Sequence, residues 1–303
     1  MSLQKITGKN SEFWWDGKEV PQVSIKAPES YETIESTDSA TPEDGKDYEI
    51  GRVDRTIDLE QILYSADGAE VDSGTLVAMK RYRVTAKDTV LADYEIGQIF
   101  EAVGTEVMSS TDKVVPLGNK LTGKNIDLTL NSVTVAVTDF DFSTSYDEVD
   151  VTDSETAGDA KETLVSRADR ESKISLIMRN ETADLLTSSP DYQPCTLTFA
   201  SGQTIVGQAI LTNKEPVVGN SEGVKVTYTL KWKGKPIETL LGLTPAIEKA
   251  FRIVYVRGAT TNKQTSGNAI ITKKTISANV VSDMIKLTYS MKVNGAVTHS
   301  VAD

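Results

Sequence analysis

The sequence predicts a mainly β fold made of two like units and a small β insertion. Three observations carry this. Polar and apolar residues alternate with a period of two over long stretches, a front segment recurs once, and a back segment recurs once. The front repeat runs without a gap: residues 6–55 return at 121–170, at an offset of about 115 residues and with about a third of the positions identical. Ile6-Thr7-Gly8-Lys9-Asn10 returns as Leu121-Thr122-Gly123-Lys124-Asn125, and Ser30-Tyr31 as Ser145-Tyr146. Arg52, Asp54 and Arg55 return as Arg167, Asp169 and Arg170. The match lies in polar and turn residues, so shared hydrophobicity does not explain it.

In the front segment, residues 13–20 read as a hairpin, with Asp16-Gly17 supplying the turn of positive φ and Asn131-Ser132 taking the same place in the copy. The stretches 36–51 and 151–166, rich in Thr, Ser, Asp, Glu and Lys, read as long polar loops. Residues 79–119 fit neither repeat. Short strands around turns at 82–86, 94–100 and 113–117 make them a small β insertion. The back segment begins with a strand at 197–202 that is echoed at 253–258, and residues 207–214 match 267–274. Residues 225–233 alternate without a fault, placing Val226, Tyr228, Leu230 and Trp232 in the core. Residues 285–293 do the same with Ile285, Leu287, Tyr289, Met291 and Val293. Helix is scarce; residues 59–63, 181–186 and 245–250 are expected to form helices of one or two turns.

Two domain arrangements fit these halves. In the preferred one, the first front half (within 1–78) is completed by the C-terminal segment 244–303, the insertion is 79–119, and the second unit is 120–243. In the other, 64–120 is a worn-down back half.

The chain has 303 residues, room for two domains of ordinary size. A net charge of −12 argues against tight binding to nucleic acid phosphates, which requires clustered Lys and Arg. One Cys excludes an intrachain disulfide. No apolar run has the length of a membrane span, and no signal peptide is visible at the N-terminus.

Catalytic equipment is hard to find. His299, the single His, lies near the C-terminus, a poor place for a general base. Cys195 opens a predicted strand and reads as a small buried hydrophobe with no basic neighbour in sequence. One His and one Cys make no zinc site of usual composition. The acidic residues between Asp139 and Asp153 lack calcium-loop spacing and read as a solvated face. Residues 118–125 nearly fit a phosphate-binding loop, but Asn125 stands where the metal-binding hydroxyl belongs, so the segment reads as a turn. The expectation is therefore no enzyme, no cofactor and no metal.

Residues 121–240 resemble the tail tube proteins of long-tailed bacteriophages. The stretch 133–153 is similar to the long inner hairpin strands of that family, 154–162 to its loop, and 169–176 to its next strand. Segments 197–202, 206–214 and 223–234 are similar to its closing strands, and 181–186 to its single helix. The repeats extend the likeness to much of 6–63 and 248–303, leaving 79–119 outside it. The resemblance implies two tandem β-barrel or sandwich modules, each with one short helix. It implies a virion protein, made in the bacterial cytoplasm, that forms stacked rings around a DNA conduit. A duplicated chain would give a homotrimeric, pseudo-hexameric ring. Its partners would be itself, other tail proteins, and DNA sliding through the lumen during ejection without specific binding; no membrane insertion is implied. The rival readings are another phage or contractile-injection-system ring or baseplate part, and an adhesive β-sandwich protein.

Two sets of residues are then candidates. The paired segments 31–35 and 146–150 place Ile34 and Val149 on one face, taken as the core. The opposite face carries Thr33, Glu35, Glu148 and Asp150, the candidates for the lumen. Acidic groups there would repel phosphates, with Lys225, Lys231, Lys286 and Lys292 partly offsetting them. The repeated arginines Arg52, Arg55, Arg167 and Arg170 are candidates for contacts between subunits, or else for local surface ion pairs.

Overall fold

The computed structural model describes residues 11–36, 46, 48–153, 161–177, 190–218, 224–240, 242–255, 262–279 and 284–302. Among these the chain is mainly β. The first strands are β1 (Glu12–Trp15), β2 (Lys18–Val20), β3 (Ser24–Lys26), β4 (Glu29–Glu35) and β5 (Tyr48–Ile62). Then come β6 (Gly74–Thr75), β7 (Arg81–Ala86), β8 (Ile99–Glu101), β9 (Val107–Met108) and β10 (Lys113–Pro116). The middle of the chain gives β11 (Ile126–Leu130), β12 (Val133–Val137), β13 (Asp139–Asp150), β14 (Thr163–Ile177), β15 (Gln193–Thr198), β16 (Thr204–Val218) and β17 (Val224–Trp232). The last are β18 (Ile237–Glu238), β19 (Lys249–Val254), β20 (Asn262–Asn279) and β21 (Met284–Ala302).

The alternating segments behave as their pattern dictates. Val226, Tyr228, Leu230 and Trp232 of β17 are buried, as are Ile285, Leu287, Tyr289, Met291 and Val293 of β21. Both hairpin turns have the left-handed backbone expected of them, with φ of 51° and 76° at Asp16 and Gly17 and of 47° and 69° at Asn131 and Ser132.

Helices are absent among the described residues, which corrects the expectation for two segments. Residues 59–62 end β5, where Leu59 pairs with Tyr289 and Gln61 with Leu287. Residues 245–248 form a turn that leads into β19. Partners across the sheet outweigh the weak helical preference of such short runs. The third expected helix, 181–186, lies outside the described residues. The polar loops are also shorter than expected: 48–51 and 163–166 belong to β5 and β14, both 15 residues long.

Sixteen strands form one hydrogen-bonded sheet that does not close into a barrel. The middle strands run in the order β12-β11-β15-β16-β17-β14-β13. The N- and C-terminal strands pair with each other: β1 pairs with β2 and β19, β20 with β19 and β21, and β5 with β21, β3 and β4. Their order, β2-β1-β19-β20-β21-β5 and then β3 and β4, repeats that of the middle strands. Two separate tandem barrels are not what this shows. Residues 139–145 of β13 pair with residues 273–279 of β20 and merge the two sets into one sheet. A single buried cluster spans both sets, from Phe13 and Leu59 through Leu128 and Phe142 to Tyr289.

The insertion has a core of its own, built from Leu76, Tyr82, Val84, Leu91, Phe100, Met108 and Val114. Its small sheets are β10-β7-β8 and β6-β9; residues 94–98, expected as strand, are turn. Its chain ends meet where Ser65 N–H donates to the Asn119 carbonyl at 2.8 Å. It covers the outer edge of β2: Glu19 N–H donates to the Gly97 carbonyl at 3.1 Å, and the Glu19 carboxylate accepts from Ile99 N–H at 2.7 Å. Gly97 has a φ of 93°, and a Cβ there would meet the Gly17 carbonyl at 2.4 Å, so this close approach requires glycine.

Candidate assembly surface

Two long hairpins, β4–β5 and β13–β14, are the most distinctive surface of the molecule. Each is anchored at its base by the sheet, where Leu59 and Ile174 are fully buried at equivalent positions. Each then runs beyond the core. The ladder of each shifts at the same place, between Tyr31 and Thr33 and between Tyr146 and Glu148. Past that bulge residues 33–35, 48–50 and 147–150 are exposed, whereas Thr163, opposite Asp150, is buried.

This overturns one expectation. Ile34 and Val149 are not in the core; they are 52% and 47% exposed. The bulge breaks the strict alternation assumed across the segment, so neither side chain is turned into the core. Tyr31, Tyr48, Ile50 and Leu164 are exposed there as well. Thr33, Glu35, Glu148 and Asp150 also lie on the projecting strands and are exposed. Glu35 pairs with Lys46 at 2.9 Å, and Glu148 lies 4.0 Å from Lys292. Hydrogen bonds from the Thr152 side chain and backbone hold the Asp150 carboxyl below the usual aspartate range.

The repeated arginines divide. Arg52 donates to the Asp153 carbonyl at 2.7 Å, tying one hairpin to the other. Arg55 donates to Glu29 at 3.0 Å and holds that carboxyl below its ordinary value. Arg170 donates to the Gly234 carbonyl at 3.0 Å, and Arg167 is exposed. The aspartates between the arginines are the better conserved pairing of the repeat. Lys231 meets Asp169 at 2.6 Å, and Lys292 meets Asp54 at 2.7 Å, at equivalent positions in the two sets. Lys225 and Lys286 are likewise paired, with Asp139 and Glu60. The outward lysines thus neutralise acidic groups of the same sheet, on the adjacent strand or, for Lys225, one strand further on. Reading the two repeats together, Asp54/Asp169 against Lys231/Lys292, was the signal for these pairs.

The chemistry-bearing residues sit elsewhere. Cys195 is 1% exposed in β15, and burial pushes its thiol up to about 12, so it is protonated at neutral pH. His299 lies on β21 with Nδ1 2.9 Å from the Thr265 hydroxyl. No group of three or more His, Cys, Asp or Glu able to hold a metal ion occurs among the described residues. A cleft of about 640 Å³ lies where residues 162–164 meet β19, β20 and the Asn294-Gly295 turn. Its polar groups bond to one another: the Asn294 amide donates to Glu248 at 2.6 Å and to the Thr163 carbonyl at 3.0 Å.

No protein-family model matches this chain, and a comparison with curated proteins gives no match.

Proposed function

We propose that this chain is a structural subunit that assembles with copies of itself into stacked rings, forming the tail tube through which a phage delivers its DNA. One observation carries the reading. Two sets of strands with the same order lie in a single chain and are already joined edge to edge by β13 and β20. Such a chain is a section of a larger symmetric sheet, and repetition of its internal junction between copies would continue it. The two units correspond to 1–78 with 244–303 and to 120–243, with the insertion as an ornament on the outside. Three copies complete a ring of six units. The hairpins β4–β5 and β13–β14, with their exposed apolar side chains and acidic rows, line the lumen. The role is mechanical: no reaction is catalysed and no cofactor is held. The protein resides in the virion, and DNA passes it without specific contact.

Electron microscopy of the concentrated protein tests this. Rings or tubes with a central hole, three-fold symmetry and six similar lobes are expected. A ring containing six chains would mean that only one unit of each chain lines the hole.

A further inference from the structure

We infer that the open edge of β16 receives the β3–β4 edge of a second copy of this chain, in the register that β13 and β20 adopt within one chain. The inference deepens the assembly reading and rests on it for the closed ring, while the pairing itself rests on a comparison inside the molecule. The second half of β20 is paired along both edges, with β21 and with β13. Thr272, Lys274, Ile276 and Ala278 are buried there. The matching half of β16 follows a ladder shift at the equivalent place, between Leu211 and Asn213, and among the described strands its ladder runs with β17 alone. Its residues 212–216 are exposed.

The opposite side of the junction shows the same contrast. Residues 139–145 of β13 pair on both edges, and Phe142 and Thr144 are buried. Among the described strands the equivalent residues, 24–30, pair with β5 only, and the counterparts Ala27 and Glu29 are exposed. Pro28 turns its carbonyl to β5, accepting from Thr56 N–H at 3.2 Å. Alternation then directs the N–H and C=O groups of Ala27 and Glu29 to the outer edge. Each chain thus carries one satisfied junction and the two unmatched halves of another.

The transferred register places Ser30 opposite Asn213, Glu29 opposite Lys214, and Ala27 opposite Pro216. Glu29, already held by Arg55, would face Lys214, so the register sets no like charges opposite each other. Pro216 offers a carbonyl but no N–H, so one ladder bond is forgone. Proline at an edge restricts which strand can add to it, a safeguard against indiscriminate pairing.

The test mixes chains carrying Ser30→Cys with chains carrying Asn213→Cys under mild oxidation; Cys195, in the core, stays in place. In the transferred register the two positions form a non-hydrogen-bonded pair with Cα atoms about 4.5 Å apart, within reach of a disulfide. The expected result is a covalent dimer at several times the yield of either variant alone. It should be lost when Gln208→Cys, on the half of β16 already paired with β15 and β17, replaces Asn213→Cys. Rings or tubes that form without this dimer would overturn the inference and leave the tube reading standing. The dimer in the absence of any ring or tube would support the pairing and remove the tube. Chains that remain monomeric and uncrosslinked at high concentration would overturn both.

Discussion

Lys274 shows how the junction between the two sets acts on single side chains. Its counterpart in the other set, Lys214, is exposed, whereas Lys274 is 6% exposed beneath the β13–β20 pairing. Removing an ammonium from water costs several kcal/mol unless a partner compensates. Glu238 of β18 supplies that partner at 2.6 Å, itself largely buried. Lys274→Met alone, or Glu238→Leu alone, is expected to destabilise the fold by about 3 kcal/mol, because each leaves a buried charge unpaired. The double substitution should cost much less than the sum. Urea unfolding of the cycle measures this, and additive losses would show that the two charges do not depend on each other. The outward pairs Lys231–Asp169 and Lys292–Asp54 sit nearer to water and are worth at most about 1 kcal/mol each. Their value is in register: they match the same residues of the repeat in both sets.

Among the elements, the insertion is held by carboxylates that cap its turns. Asp112 accepts hydrogen bonds from the backbone N–H groups of Asp88, Thr89, Val90 and Leu91. Desolvation opposes its ionisation, but these donors outweigh it and hold the carboxyl below the usual aspartate range. Glu106 is depressed in the same way against desolvation, by N–H groups of residues 103–106. A depressed carboxyl contributes its stability in full above its unfolded value and loses it as pH falls through the folded value. Acid below about pH 4 should therefore loosen the insertion first. Hydrogen exchange at amides 88–91 is expected to accelerate there while β17 and β21 stay protected, and Asp112→Asn should give the same local change at neutral pH. Equal loss of protection in both regions would show that the insertion has no separate acid lability. None of this was visible in sequence, where Asp112 is one acidic residue among many. What was legible was local or periodic: the alternation of β17 and β21, the Asp16-Gly17 turn, and the repeat that aligns β5 with β14. Residues 59–62 misled because a short run of Leu, Glu, Gln and Ile carries no period of its own, and only the pairing with β21 decides it. Ile34 and Val149 misled because the bulge that breaks their alternation is set by the pairing of the strands, not by the residues alone.

For the whole molecule, the distribution of charge decides how a ring of these chains would treat DNA. The net charge is −12, and the outward lysines Lys225, Lys231, Lys286 and Lys292 are matched by acids of the same sheet. The projecting hairpins carry exposed Glu32, Glu35, Glu148 and Asp150, against which stand Lys46, Lys161 and Lys292. If these hairpins line the conduit, their acids keep phosphates from making the counterion-releasing contacts that would arrest the strand. Reversing Glu35, Glu148 and Asp150 together to Lys places like charge beside Lys46 and Lys292 and creates a phosphate-binding row at each hairpin. The hairpin bases, held by β21, β17 and the shared core, are far enough into the sheet for the fold to survive. Particles built from this variant are expected to eject DNA several-fold more slowly in low salt. The difference should shrink as ionic strength rises and the screening length falls below about 10 Å. Ejection kinetics followed by dye release against a salt series provide the measurement. A rate equal to that of the parent in low salt, from particles of normal tube length, would place these hairpins away from the DNA path.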